Sequence, residues 1–529
     1  MPDNGRTLAL RIGDLLFLLG GAVVCLFLFV DAAPRMRFQY DEADYMVAAR
    51  MGLRENYLET SSLSFPAYVR TGLRALSNQI DRTDLSESVR LRNDVSFYRH
   101  YHGPLYFHWL ALVSRLTTEE AHVRAAGLVF HLLAFVTIFV GLIWLLGPEG
   151  RTAAWIASSA YLFSVGNIRT ALGVSTHQMY AWVAILTLFV IARFLITGRT
   201  RYLLAAVGGA TVSLSILEYG VLLFVVLAFC GWRLRRRLLA VNPELATRGL
   251  AAKLIGLFLG ICALLWPAGL FKLSMLKAYL AMPFLAVMRK DSFGKASLGD
   301  IWSSRLGGSP LEYAILFACL AAGVYALTRF RSRPELAPFV LYAGLILLIA
   351  LKSDTERYMS SAPPALYVVG AVILADWWRR RGPSRWTPAA MTAGFLLLLA
   401  SAVRALPARD ASTAPSARDT VSFVSGQRDR LRSILVPGSC VPAIHYYVPE
   451  VVVRSYRPEA GSENVLARIA RAPVDALFVR QAADADLGSG VAQRFRTERI
   501  IGPDDDDPTC GRFVVYFLGR PPGEASWPP

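Results

Sequence analysis

Long apolar runs separated by short basic loops dominate this chain, a pattern with the length scale of a bilayer. The runs fall at about 12–32, 126–146, 153–170, 178–197, 202–217, 219–232, 252–270, 310–328, 336–351, 362–378 and 387–404. Most are close to the roughly 17–25 residues that a helix needs to cross the hydrocarbon, so about eleven spans are expected. The apolar stretch between Arg201 and Arg233 is too long for one span and divides at Glu218-Tyr219-Gly220, a natural turn. A hydrophobic content of 54% and a mean hydropathy of +0.40 agree with a polytopic α-helical membrane protein.

Orientation follows from the basic loops, because Lys and Arg are retained on the cytoplasmic side. With the N-terminus inside, the cytoplasmic loops hold Arg151, Arg199 and Arg201, the Arg233–Arg237 cluster with Arg248 and Lys253, Arg329, Arg331 and Arg333, and Arg379, Arg380, Arg381 and Arg385. An odd number of spans then sends the C-terminus outside. The formal charge of +17 is thus a topology signal, spread over separate short loops without a nucleic-acid-binding module. Arg6 and Arg11 precede the first apolar run, which lacks a small-residue cleavage site and is expected to stay as the first span.

Residues 1–404 form the expected membrane domain, with outer loops at 34–125 and 271–310, and residues 405–529 form a small extracytoplasmic α/β domain. In the first loop, Tyr45–Leu53 and Val69–Leu76 carry apolar residues at helical spacing and read as helices lying on the membrane surface. After Arg404 the composition shifts to Ala, Ser, Pro, Asp and Arg. Ser433–Val436, Val451–Ser455, Ala476–Arg480 and Phe513–Leu518 are strand-like, and Ser462–Ala470 is helical. Cys25, Cys230, Cys262 and Cys319 lie in or beside apolar runs, whereas Cys440 and Cys510 fall in the outer domain, where a disulfide between them is expected.

Three carboxylates follow the first span in Tyr40-Asp41-Glu42-Ala43-Asp44-Tyr45. The letters spell a helicase box, but no G-x-x-x-x-G-K-[ST] phosphate loop exists, and Gly294-Lys295 lacks both the upstream glycine and the following hydroxyl. Acids in a first helical turn suit the helix dipole. The same acids can accept a proton from a hydroxyl or hold a cation near a phosphate, and spacing alone leaves base, cation ligand and cap all open. Downstream, Tyr98-Arg99-His100-Tyr101-His102-Gly103-Pro104-Leu105-Tyr106-Phe107-His108-Trp109 mixes imidazoles and aromatic rings at the entry to an apolar stretch. No matching His or Cys set supports zinc, whereas aromatic faces beside carboxylates suit a sugar.

The order of these elements resembles the membrane glycosyltransferases of the GT-C superfamily, in the branch of protein O-mannosyltransferases and lipid A aminoarabinose transferases. The residues that carry the resemblance are Asp41-Glu42-Ala43-Asp44-Tyr45, His102-Gly103-Pro104-Leu105-Tyr106, Arg169 before Ala171, and Arg357-Tyr358 before Pro363-Pro364, within roughly Leu15–Trp378. The resemblance implies an inverting hexosyl- or pentosyltransferase of a bacterial-type plasma membrane. Its donor would be a polyprenyl-phosphate sugar, and its acceptor an extracytoplasmic glycan, lipid or protein. Asp41 is then the candidate catalytic base, with Glu42 assisting. Asp44, Tyr45, His102, Tyr106 and Tyr358 are candidate substrate contacts, and Arg169, Lys272, Lys277, Arg289, Lys352 and Arg357 are candidate partners of the anionic phosphate. Because Arg and Lys can neutralise a monophosphate, no cofactor is obligatory, although a divalent cation is compatible with the acids. Membrane lipids are the expected surroundings and nucleic acid is not a partner.

Two departures from the family pattern stand out. Thr176-His177-Gln178 occupies a position where relatives often carry a further Asp, leaving His177 as a neutral hydrogen-bonding candidate, and His-Gly-Pro replaces His-Pro-Pro. Asp504–Asp507 reads as a solvated acidic turn, since four consecutive acids do not form an oxygen cage. The rival readings are a transporter or flippase, which would place ionisable residues along a path through its spans, and a non-catalytic subunit that binds lipid-linked glycans.

Overall fold

The computed structural model describes residues 11–33, 40–50, 52–53, 102–267, 310–330, 332–350, 359–381, 387–405, 418–437, 440–456, 462–471, 474–480, 485–495, 497–504 and 512–518. In chain order the helices are α1 (Ile12–Ala32), α2 (Tyr40–Arg50), α3 (Leu105–Leu116), α4 (Glu120–Leu146), α5 (Arg151–Leu162), α6 (Val165–Leu172), α7 (Thr176–Thr197), α8 (Thr200–Leu214), α9 (Gly220–Arg233), α10 (Arg235–Val241), α11 (Arg248–Leu265), α12 (Pro310–Thr328), α13 (Ala337–Ala350), α14 (Ala362–Arg381) and α15 (Thr387–Ala405). They are followed by α16 (Arg418–Gly426), β1 (Ser433–Pro437), α17 (Val441–Tyr447), β2 (Val452–Tyr456), α18 (Ser462–Arg471), β3 (Ala476–Arg480), α19 (Ala485–Arg494), β4 (Thr497–Asp504) and β5 (Arg512–Leu518). The chain forms two compact units. The first is Met1–Pro34, Tyr101–Trp109 and Arg115–Ala411, and the second is Arg35–His100, Leu110–Ser114 and Ser412–Pro529. The second unit therefore contains more than the 405–529 stretch expected from composition.

In the first unit, five stretches among the described residues are long and apolar enough to cross a membrane: Ile12–Val30, Glu120–Leu162, Thr176–Thr197, Arg248–Leu265 and Pro310–Thr328. Gly220–Arg233, Ala337–Leu348 and Thr392–Arg404 are shorter apolar helices. Leu16, Leu19, Phe27 and Val30 of α1 and Ile255 and Leu264 of α11 are exposed. Apolar side chains turned outward on apolar helices mark surface that lipid covers, as in an integral membrane protein. Helices α4, α7 and α8 pack in series, and α14 packs on α5, α12 and α13. Asp14, buried in the first turn of α1, accepts from Arg151 Nε at 2.9 Å and Trp155 Nε1 at 3.3 Å, tying α1 to the start of α5.

The expected division at Glu218-Tyr219-Gly220 matches the turn between α8 and α9. The run read as one span at 153–170 does not form one helix. It breaks after Leu162, and Ser164 caps the new helix α6 by accepting from the Asn167 amide. A short polar side chain that satisfies an orphan amide stops one helix and starts another within an apolar run.

The second unit contains a five-stranded sheet of order β2-β1-β3-β5-β4. β1 runs parallel to β2 and β3, while β5 is antiparallel to β3 and β4. Both faces are covered. Ile434, Val436, Phe478, Phe513, Val515 and Phe517 pack with Val441, Ile444 and Val424 of α17 and α16, whereas Leu435, Leu477, Val479, Val514 and Tyr516 pack with Val465, Ile469 and Val491 of α18 and α19. Burial on both faces explains why these strands read as continuous apolar runs rather than alternating ones. Cys440 is buried and disulfide-bonded; Cys510 lies outside the described residues. Cys25, Cys230, Cys262 and Cys319 are free thiols.

Candidate functional site

Helix α6 is only eight residues long and carries Arg169 exposed on its surface. So short a helix does not stand on backbone hydrogen bonds alone, and buried polar side chains hold both of its ends. At the N-terminus, the Glu312 carboxylate accepts from the Val165 amide at 3.0 Å and from the Ser164 hydroxyl, while Tyr367 donates to it at 3.2 Å. At the C-terminus, the carbonyls that the helix leaves unpaired are met from two neighbours. Arg124 of α4 donates to Leu172 at 2.6 Å. Gln178 of α7 lies within donor reach of Thr170 at 2.7 Å, Ala171 at 2.6 Å and Gly173. Glu312, Arg124 and Gln178 are all buried.

His102 is buried with its Nδ1 3.0 Å from Glu218 Oε2. The backbone explains the glycine that follows it. A Cβ at Gly103 would lie 2.1 Å from the Ser215 carbonyl oxygen, and the Leu105 amide donates to that same oxygen at 3.0 Å. Neither Pro nor any other L side chain fits there, which accounts for His-Gly-Pro. Next to Glu218, the Tyr219 ring meets His177 and Tyr180 edge-on, with centroids 6.1 and 6.2 Å apart, and the Tyr342 hydroxyl donates to that of Tyr180 at 2.9 Å. His177, whose amide is capped by Ser175, also lines a small cavity with Asn167, Thr170, Gln178, His131, Tyr161 and Ser360. His102, through Glu218, and His177, against Tyr219, thus reach neighbouring residues of the same turn although they lie 75 positions apart in sequence, and His177 also shares a cavity with Asn167 and Thr170 of the helix that bears Arg169.

The acidic motif belongs to the second unit. Helix α2 carries Asp41, Glu42, Asp44 and Tyr45, and every residue from Glu42 to Ala49 is buried, with Asp44 fully so. This corrects the expectation of an amphipathic helix lying on the membrane surface at Tyr45–Leu53, since a surface helix would keep one face wet. Helix α2 packs on α17. At its last turn the Arg50 guanidinium lies 4.0 Å from the centre of the Tyr446 ring and donates to the Tyr446 carbonyl.

Tyr106 is buried in α3. Val69–Leu76, Lys272, Lys277, Arg289, Lys352, Arg357, Tyr358 and Asp505–Asp507 lie outside the described residues, as does the side chain of Asp41, while Asp504 ends β4. Sequence reasoning missed Glu312 and Arg124 altogether, took Glu218 only as a turn residue, and treated Gln178 only as a departure. The available signal was an ionisable residue within the first turns of an apolar helix, which rarely lacks a purpose. Glu42 and Asp44, two positions apart on one helix, lie on different sides of it. Among the described residues, no three His, Cys, Asp or Glu converge as a metal site.

No family model and no curated protein matches this chain. Solved structures do. ArnT from Cupriavidus metallidurans bound to undecaprenyl phosphate is similar at 13% identity with a TM-score of 0.56, covering 96% of this chain and 98% of that one. The archaeal oligosaccharyltransferase AglB from Archaeoglobus fulgidus, in complex with an inhibitory peptide and a dolichol-phosphate, is similar at 12% identity with a TM-score of 0.54, covering 96% of this chain and 74% of that one. The oligosaccharyltransferase of Archaeoglobus fulgidus in complex with Zn and sulfate gives 13% identity and a TM-score of 0.51, covering 95% of this chain and 73% of that one.

Proposed function

We propose that this chain, whose fold is that of the GT-C membrane proteins, is an inverting glycosyltransferase moving a sugar from polyprenyl phosphate to an extracytoplasmic glycan, lipid or protein acceptor. The observation that carries this reading is the likeness, over almost the full length of both chains, to a protein bound to undecaprenyl phosphate. The exposed guanidinium of Arg169, on a helix held at both ends, supports it. The paired N–H donors of an Arg guanidinium match the oxygens of a phosphate.

The reaction is a single displacement. Asp41, with Glu42 beside it in α2, takes the proton of the acceptor hydroxyl as its oxygen attacks the anomeric carbon. The bond from that carbon to the phosphate oxygen breaks on the opposite face, and its electron pair leaves with the polyprenyl phosphate. Arg169, with Lys272, Lys277, Arg289, Lys352 and Arg357, neutralises the departing monophosphate. No step is routed through a metal ion. His102, Tyr45, Tyr106, His177 and Tyr358 are assigned to the sugar and acceptor. Cys440 pairs with Cys510 in this reading, since the other four cysteines are free.

Purified protein is to be incubated with radiolabelled polyprenyl-phosphate sugars and candidate acceptors. The expected outcome is transfer by the wild type, with Asp41→Asn slower by about 10²–10⁴-fold while still binding polyprenyl phosphate. Binding without transfer from any donor would instead support a non-catalytic subunit.

A further inference from the structure

We propose that Gln178 is a positioning residue for Arg169, acting through helix α6, and that its carboxamide is completed by one water held between Gln178 and Asn167. This rests on the assignment of Arg169 to the donor phosphate. The donor end of the Gln178 amide gathers the carbonyls of Thr170, Ala171 and Gly173, at and just beyond the last turn of α6 and immediately after Arg169. Its acceptor end, Oε1, is buried and makes no hydrogen bond within the protein among the described residues; the same holds for Asn167 Nδ2 on α6 itself. Both residues are about 95% buried and line the same cavity, which has room for about one water. A donor and an acceptor that line one cavity of that size are the partners an ordered water needs.

The packing around Gln178 leaves it little freedom. A Cβ at Gly127 of α4 would lie 2.6 Å from Gln178 Oε1, so the glycine provides the space in which the carboxamide sits. Directional bonds from Gln178, beside the one from Arg124 to Leu172, therefore fix the end of α6 in a way that its apolar packing alone, which tolerates rotation of so short a helix, would not. An amide suits this role where a carboxylate would not, because Asp or Glu would bring negative charge against carbonyl oxygens.

The test uses full-length protein in detergent, with undecaprenyl phosphate as the probe, and four variants: Arg169→Ala, Gln178→Met, the double substitution, and Gly127→Ala. Thermal midpoints confirm that each is folded. Gln178→Met is expected to weaken binding about tenfold and to add nothing in the Arg169→Ala background. Hydrogen–deuterium exchange over residues 164–173 is expected to rise in Gln178→Met and, to a smaller degree, in Gly127→Ala. Unchanged exchange in Gln178→Met overturns the positioning role, as does an equal loss of binding with and without the Arg169 side chain. Wild-type binding by Arg169→Ala overturns the phosphate assignment instead, and the exchange result then decides the positioning of α6 by itself.

Discussion

His102 Nδ1 and Glu218 Oε2 lie 3.0 Å apart across 116 positions of sequence, both side chains almost wholly buried. The pair joins the residues that precede α3 to the turn between α8 and α9, and Ser215 supplies the backbone half of the same junction. A buried pair of this kind is costly to break, because the group left behind loses a partner that water cannot replace. Glu218→Ala is expected to lower stability by about 1–3 kcal/mol, read as a fall in thermal midpoint, with Glu218→Gln nearer to wild type.

Gly103→Ala tests the backbone half of that junction. The added Cβ would fall 2.1 Å from the Ser215 oxygen, so two backbone segments must separate. The expected cost is about 1–3 kcal/mol, together with loss of the Leu105 amide bond. A thermal midpoint equal to wild type would mean that residues 103–105 do not rest on Ser215.

The clasp between α2 and α17 makes a separate prediction about turnover. If α2 bears the catalytic acids, loosening its last turn shifts them without touching the donor phosphate. Arg50→Ala and Tyr446→Leu each remove a cation–π contact of about 0.5–1 kcal/mol. Turnover is expected to fall several-fold with donor affinity unchanged, and Arg50→Lys to retain part of it. A loss confined to donor affinity would contradict this role for the clasp.

Cys440→Ser should destabilise the second unit. The proposed bridge to Cys510 closes a loop of about 70 residues, for which chain entropy gives about 4 kcal/mol. Limited proteolysis under non-reducing conditions is expected to cut the variant after Ala405 far faster than the wild type, and dithiothreitol should make the two alike.

Glu335, between α12 and α13, has its carboxyl raised above the ordinary value of 4.5 because burial disfavours the charged form, with Arg333 opposing the shift. A carboxyl raised in the folded state contributes stability that is complete below the unfolded value and is lost as pH rises through the folded one. From pH 4.5 upward the wild type should therefore lose stability relative to Glu335→Gln, and the slope of thermal midpoint against pH measures it.

The membrane helices were legible in the sequence because hydropathy reports burial in lipid directly, and most boundaries agree with the helices to within a few residues. β1, β3 and β5 were legible for a related reason, being apolar runs covered on both faces, and β2, an edge strand, through its Val451-Val452-Val453 run. β4 was not. It is an edge strand containing Gly502-Pro503 and an irregular register near Ile501 and Asp504, and an edge tolerates residues that a central strand excludes. α19, with Gly488 and Gly490, lacks helix propensity and is held by its packing against β3, β5 and α18. In the site, His102 and His177 could be picked by type, but Glu218, Glu312 and Arg124 acquire their meaning only from partners 48 to 148 positions away.

The Arg50–Tyr446 contact spans 396 positions, which gives it a consequence for biogenesis. At roughly 5–20 residues per second, a ribosome needs about 20–80 s after finishing α2 before Tyr446 exists. During that interval the acidic helix has no α17 to rest on, whatever the state of the apolar helices already inserted. The contact can form only once about five sixths of the chain has been made, so a product that stops before α17 carries the acidic motif without the support that holds it.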